Sequence, residues 1–369
     1  MTRIAIDARK FEDGGIGRYV REILARAPAL LTDAEITAVV PAGGQARIAE
    51  IAPGLRTLEA RSKGYSLAEQ AEMPRLLRGG RFDLVHFPHY SIPATLAGPR
   101  IVVTVHDLIH VHVPRTPLHE GYARIMLRLV RKRADVVLAP GAAVARDLVK
   151  VARFPAARVR VVPNGVSDVF LGGGPPDERE CETFAARHGL ASPWLLHVTN
   201  GLPHKGLDVL AGALAELPPV GLVLAGRGSD APAVRSQVAR AKLSSPVRFL
   251  GEVSDEDLRT AYGAATAVVV ASREEGFGLP ALEAMACGGV VVATVAGGLA
   301  EVCGDAAITV EAGSVASLRS ALYRMLFELG RTEREGLVRR GLSRAARFPW
   351  SRSVEAVCDV YREALAGSS

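Results

Sequence analysis

Short runs of β-branched and aliphatic residues alternate with helical periods along almost the whole chain. No other feature constrains the fold as strongly. Parallel strands cannot be joined by tight turns and need a crossover, usually a helix, so strand–helix alternation predicts parallel sheets with helices on both faces. The spacing predicts strands at 3–7, 36–40, 84–87, 101–105, 136–139 and 159–162, then at 194–198, 221–225, 247–250, 267–271, 290–293 and 307–310. Between these halves lies LGGGPPDERE at 171–180, whose three glycines and two prolines continue neither element and mark a linker. At 369 residues the chain is also too long for one ordinary core. The expected organisation is a Rossmann-like domain at 1–170, a linker at 171–184, a second Rossmann-like domain at 185–348, and a closing amphipathic helix at 349–369 that packs back on the first domain. Ser351 or Ser353 would cap that helix.

The fold class is therefore α/β, with two doubly wound parallel-sheet domains. Such sheets carry their ligand loops at the carboxyl ends of strands, beside a topological switch point, and two facing sheets would make one cleft. Hydrophobic content of 49% and charged content of 23% are those of a folded chain and exclude disorder or collagen-like bias. The N-terminal MTRIAIDAR has no apolar leader pattern, and no apolar run is long enough to span a bilayer. Cys181, Cys287, Cys303 and Cys358 show no CxxC spacing, which favours reduced thiols and a cytoplasmic setting over a disulfide frame or zinc site.

A net charge of +6 raises nucleic acid as a partner. The basic residues are dispersed, however, and the aromatic content of 5% offers no stacking platform, so nucleic acid is not expected. One segment is denser. At 123–136, ARIMLRLVRKRADV sets Arg124, Arg128, Arg131 and Lys132 beside an apolar stripe of Ile125, Leu129 and Val130. A solvated helix packed on a sheet explains this pattern best, and peripheral contact with anionic headgroups at the inner membrane face is the other reading it admits.

The stretch EEGFGLPALEAMACG at 274–288 follows the strand at 267–271 and opens a helix in which Pro280 is well placed for the first turn. The free N–H groups and partial positive charge of a helix start attract phosphate oxygens, and Gly276 and Gly278 let those oxygens approach the amides of 276–279 with no Cβ between. Glu275 and Glu283 could accept hydrogen bonds from sugar and ribose hydroxyls. Acids are also common at helix starts for electrostatic reasons alone, so the pair does not decide the matter. DGGIGRY, with Gly14, Gly15 and Gly17 after the first strand, offers a second bare backbone, though its spacing is not that of the dinucleotide-binding GxGxxG. Only six of the 45 basic residues are lysines, and one of them, Lys205 in PHKG, is a compact point charge suited to a diphosphate. Arg227, in AGRG, is either a ligand contact or a loop arginine.

The Glu-x7-Glu spacing, with FGLP inside it and EAMACG behind, resembles the signature of the large retaining nucleotide-sugar glycosyltransferase family of the two-Rossmann (GT-B) type. DARKFEDGGIGRYVREIL, HFPHYSIP, TVHDLI, VVPNGVSDVF, HVTNGLPHKGLDVL, LVLAGRG, VRFLGEVSDEDL and GGLAEVCGDAA follow in the family's order. The GGIGRY and PHKG forms look most like its bacterial mannosyltransferase-like members. The resemblance implies an acceptor-binding N-terminal domain and a donor-binding C-terminal one. It gives His106 a hydrogen bond to the transferred sugar and makes Lys205 and Glu275 catalytic. Donor binding falls to Gly15, Asn200, Arg227, Gly276, Phe277, Gly278, Leu279 and Glu283. Asn200 stands where members commonly carry an arginine, which removes one cation from the expected diphosphate site.

The implied activity is retaining transfer of a hexose, first mannose from GDP-mannose, to a hydroxyl of a glycan or lipid-linked acceptor seated near 64–65 and 88–93. The nucleotide sugar is then a substrate, and no cofactor is expected. His86, His89, His110 and His112 lack metal-site spacing, and SDEDL at 254–258 reads as a helix cap on Ser254, so no metal is expected either. Two other activities fit the same build: a sugar-nucleotide 2-epimerase, and a non-catalytic nucleotide-sugar binding protein.

Overall fold

A computed structural model describes residues 1–62, 64 and 66–367 of the chain. Among these residues thirteen strands form two parallel sheets. In the first, β1 (Thr2–Asp7), β2 (Ala34–Pro41), β3 (Arg56–Ala60), β4 (Leu84–Phe87), β5 (Arg100–Thr104), β6 (Val136–Ala139) and β7 (Val159–Val161) lie in the order β3-β2-β1-β4-β5-β6-β7. In the second, β8 (Trp194–Val198), β9 (Gly221–Ala225), β10 (Val247–Gly251), β11 (Ala267–Val270), β12 (Val291–Thr294) and β13 (Ala307–Val310) lie in the order β10-β9-β8-β11-β12-β13. Strand order reverses beside β1 in one sheet and beside β8 in the other. Ile4 thus pairs with Ile36 and with Leu84, and Leu195 pairs with Leu222 and with Ala267.

The central strands are fully buried runs such as IAID in β1 and AVVV in β11, as parallel strands covered on both faces must be. β3 was not expected from the sequence. It reads RTLEA, with only its last residue buried, and lies at the sheet edge, where charge blunts unwanted pairing.

The chain divides into two compact units, Met1–Asn164 with Trp350–Ser369, and Gly165–Pro349. The boundary therefore falls at 164/165, ahead of the expected 171–184 linker, and that stretch belongs to the second unit. A Cβ on Gly263 would sit 2.3 Å from the Pro176 ring, and one on Gly288 would sit 3.0 Å from the Pro175 ring, so the two prolines pack on the second unit's own helices. Glycine and proline here interrupt regular structure without releasing the chain from the core.

The last helix, Trp350–Ala366, begins one residue before Ser351, and Ser353 is buried within it, so neither serine is its cap. It joins the first unit through Trp350 and Tyr361, both fully buried. The Tyr361 hydroxyl lies 2.6 Å from His86 Nδ1 in β4, and His86 Nε2 lies 2.8 Å from Thr104 Oγ1 in β5. Among the described residues no helix is long and apolar enough to cross a membrane.

Candidate active site

In the second unit, the loops leaving β8 and β11 rise from neighbouring strands at the switch point, where open α/β sheets place their ligands. They are tied together closely. Gly206 (φ +69°) approaches the end of β11 so nearly that a Cβ would lie 2.0 Å from the Ala271 carbonyl oxygen, and only glycine fits there. The Arg273 amide donates to the His204 carbonyl at 2.7 Å, and the Arg273 guanidinium holds both Asp208 oxygens, at 2.7 and 2.5 Å. This frame brings Lys205 onto Glu275. The ammonium donates to Oε2 at 2.9 Å and to Oε1 at 3.2 Å, and the Ser272 hydroxyl adds a bond to Oε2 at 2.9 Å. Burial pushes the Glu275 carboxyl upward, but the Lys205 charge and the bonds from Lys205 and Ser272 outweigh it and hold the group below its ordinary value. The Gly298 amide supports the same loop from the β12 side, donating to the Glu275 carbonyl at 2.8 Å.

Immediately beyond Glu275 the helix Leu279–Ala286 begins at Gly278, whose φ of +100° excludes most side chains. No side chain caps its first turn, and Pro280 occupies an early position that needs no donor. The amides of 276–279 thus lead into a helix start two strands from the sheet edge, beside the Lys205–Glu275 pair. Phe277 turns its ring into the core against Phe348, with centroids 6.0 Å apart, so it offers a ligand only its backbone. Glu283 lies in the same helix, 4% exposed, and accepts from the Tyr262 hydroxyl at 2.9 Å.

Two other expected donor contacts sit differently. Arg227, just past β9, grips Glu252 with both Nε (3.0 Å) and Nη2 (2.8 Å) on an exposed edge. Asn200 is exposed, and its side chain closes its own turn by accepting from the Leu202 amide at 3.2 Å.

Gly15 and His106 belong to the first unit. Gly15 lies in the first turn of the helix Gly14–Leu30, which has no side-chain cap. His106 follows β5, with its ring edge-on to Tyr19 at 4.9 Å, and Tyr19 in turn shares Thr104 Oγ1 with His86. Burial pushes the His106 ring down to about 4, against a hydrogen bond with the Pro88 carbonyl that raises it. Its Nε2 is buried without a partner. Of the histidine cluster noted in the sequence, His110 and His89 have protein partners: His110 Nδ1 lies 2.5 Å from the Tyr90 hydroxyl, and His89 Nδ1 accepts from the Ser91 amide at 3.1 Å.

At the carboxyl ends of β1 to β4 the first unit encloses a cavity of ≈ 420 Å³. Its wall includes Gly64, Pro88, His89 and Ser91, from the regions expected to meet an acceptor, whereas Tyr65 lies outside the described residues. The cavity also exposes a cluster the sequence did not reveal. Arg9 bonds Asp7 through Nε (2.8 Å) and Nη2 (2.7 Å), and Nη2 also reaches Glu69 at 2.7 Å. Burial opposes the Arg9 charge, but the two carboxylates more than restore it. The 60-residue separation of Arg9 and Glu69 leaves no periodic signal. Ser272 was missed too, because a single small hydroxyl three residues before Glu275 has no pattern of its own.

Sequence comparison finds two family models on this chain. "Glycosyl transferases group 1" matches residues 180–333, and "Glycosyltransferase Family 4" matches residues 13–169. A D-inositol 3-phosphate glycosyltransferase of Xylanimonas cellulosilytica is 31% identical, covering 95% of this chain and 92% of that one. The O-antigen chain mannosyltransferase B of Escherichia coli is 27% identical over 81% of this chain and 79% of its own length. Among solved structures, Anabaena HepE in complex with UDP and glucose superposes with a TM-score of 0.81 at 19% identity, over 98% of this chain and all of that one.

Proposed function

Since the chain belongs to the group 1 glycosyltransferases and has their two-Rossmann GT-B fold, we propose that it moves a hexose from a nucleotide diphosphate sugar to a hydroxyl of a glycan or lipid-linked acceptor, with retention of configuration. The observation that carries this reading is the Lys205–Glu275 pair, set at the β8/β11 switch point beside an uncapped helix start. Lys205, the 276–279 amides and the helix dipole offset the charge that grows on a leaving diphosphate. The arriving diphosphate competes for Lys205, and the Glu275 carboxylate is thereby released to the hydroxyls of the sugar. Glu283, held by Tyr262, receives the ribose. His106, neutral and with an unpartnered Nε2, hydrogen-bonds the transferred sugar.

The acceptor hydroxyl attacks from the face that the diphosphate leaves, and the diphosphate takes its proton. Protein cations and dipoles supply the positive charge, so the reading requires no divalent metal or cofactor. Mannose from GDP-mannose is the first donor to try, in line with the mannosyltransferase relative. The inositol phosphate relative makes a phosphorylated cyclitol an acceptor worth including. The cysteines stand unpaired, which suits a reducing compartment, and the cytoplasm is the proposed setting.

The test is incubation with GDP-mannose, UDP-glucose and an acceptor panel, following nucleoside diphosphate release and the anomeric configuration of the product by NMR. An inverted product rejects retention. A changed nucleotide sugar with no glycosylated acceptor favours the 2-epimerase reading. Nucleotide binding without release in any combination rejects catalysis.

A further inference from the structure

The first unit carries a second cavity, of ≈ 270 Å³, that none of the proposed transfer steps uses. Its floor is apolar, with Leu108, Val111 and Leu127, and its rim holds four guanidinium groups, those of Arg124, Arg128, Arg131 and Arg153. Three of these stand on one stripe of the helix Pro117–Arg133, at positions i, i+4 and i+7. That helix carries five lysines and arginines and a single acid, Glu120, which bonds Arg124 at 2.8 Å. Arg131 turns to the Ala152 carbonyl at 3.4 Å. Arg128 and Arg153 have no acidic partner among the described residues. Arg153 is held at φ +61°, a left-handed backbone that a residue with a Cβ adopts at a cost, and in that conformation it lines the groove.

The surroundings are apolar in an unusual way for a charged surface. Leu118 is 81% exposed and Ile125 57% exposed, seven residues apart and so on one face of the same helix, and Val151 is 40% exposed on the groove itself. Apolar side chains presented to solvent near Arg128 and Arg153, which have no acidic partner among the described residues, match the two layers of an anionic bilayer surface, phosphate above and acyl chain below.

We propose that this groove is where the protein rests on an anionic membrane surface, with a lipid phosphate held among Arg124, Arg128, Arg131 and Arg153 and with Leu118, Ile125 and Val151 set into the acyl boundary. Leu108 follows His106 by two residues, so a lipid docked here lies on the loop that carries the expected sugar contact. This selects the lipid-linked class of acceptor, and only that last step rests on the transferase reading.

Co-sedimentation of the intact protein with phosphatidylglycerol/phosphatidylcholine vesicles, against phosphatidylcholine alone, tests the docking. Binding is expected only to the anionic vesicles and should weaken as salt rises. The double variant R128E/R153E should reduce it by about thirtyfold or more, taking each basic residue at its usual contribution beside an anionic surface. L118S/I125S should also weaken it, without changing its salt dependence. Both variants should keep the wild-type melting temperature and the wild-type shift on adding nucleoside diphosphate. Equal binding to neutral vesicles, or vesicle binding untouched by R128E/R153E, overturns the proposal. So does a groove that takes inorganic pyrophosphate, seen as a thermal shift lost in R128E/R153E, while anionic vesicles do not bind. If vesicle docking fails while nucleoside diphosphate still stabilises the protein, the membrane face is lost and the donor site stands.

Discussion

Lys205 and Glu275, 70 residues apart in sequence, meet at 2.9 Å with their side chains only 16% and 12% exposed. The pair joins the loops after β8 and β11. Under the proposed transfer it holds a cation for the diphosphate and a carboxylate for the sugar in a single contact, which donor binding would separate.

The first expectation concerns Glu275 itself. Glu275→Ala should lower transfer by about 10²- to 10³-fold, the usual scale for one preorganised polar group in a transition state, while the fold persists. Glu275→Gln keeps the shape and loses the charge, so it should fall between the two. Steady-state turnover beside a thermal melt makes the comparison, and near-normal turnover of the alanine variant removes Glu275 from the chemistry.

Lys205→Ala strands a buried carboxylate. It should cost about 3 kcal/mol of stability, more than the double variant Lys205→Ala/Glu275→Ala, because breaking one side of a buried pair is worse than removing both. The pH dependence has a definite sign. In the wild type the Glu275 carboxyl lies below its ordinary 4.5, so its contribution is present above that value and fades as pH falls through the lower, folded-state value. Without Lys205 burial dominates and raises the group, so the variant should gain stability relative to wild type on acidification. Urea midpoints at pH 7.5 and 5 measure this, and equal losses at both pH values count against it.

Three buried histidines set a second pH window. Burial pushes His86 to about 3, and His106 and His197 to about 4, from an ordinary 6.5. Each is neutral in the folded state across the physiological range, so its contribution is complete above pH 6.5 and declines as the unfolded chain takes up protons, until its folded value is reached, about 4 for His106 and His197 and about 3 for His86. Stability should begin to fall below pH 6.5, well before carboxylates titrate, and His106→Asn should flatten part of that slope. A level midpoint from pH 7.5 to 5 would contradict it.

Gly206→Ala should be severe. Its Cβ would overlap the Ala271 carbonyl oxygen at 2.0 Å and would also have to adopt φ +69°. A loss above 3 kcal/mol, or failure to express folded, is expected from a strained site with no room to relax. A fully stable variant by calorimetry would show that the two loops are not tied as described.

Much of the fold was legible because parallel strands buried on both faces leave continuous apolar runs, as AVVV of β11 does. RTLEA of β3 leaves none, being a charged edge. The Pro175–Pro176 stretch misled for a different reason: sequence reports where regular backbone stops, and here the irregular chain still packs on Gly263 and Gly288. In the candidate site, Lys205 and Glu275 stood out through local motifs. Their mutual contact, Ser272, and the Asp7–Arg9–Glu69 cluster depend on strand order and on side-chain reach, which no single stretch encodes.

The membership of Trp350–Ala366 in the first unit has a consequence for synthesis. Trp350 and Tyr361 complete a core that begins at β1, yet Gly165–Pro349 is translated in between. At ordinary ribosomal speeds that delay is roughly ten to forty seconds. The lobe made first is therefore the last to finish, and a nascent chain halted before Trp350 leaves the His86 side of its interior open to chaperones and to proteases.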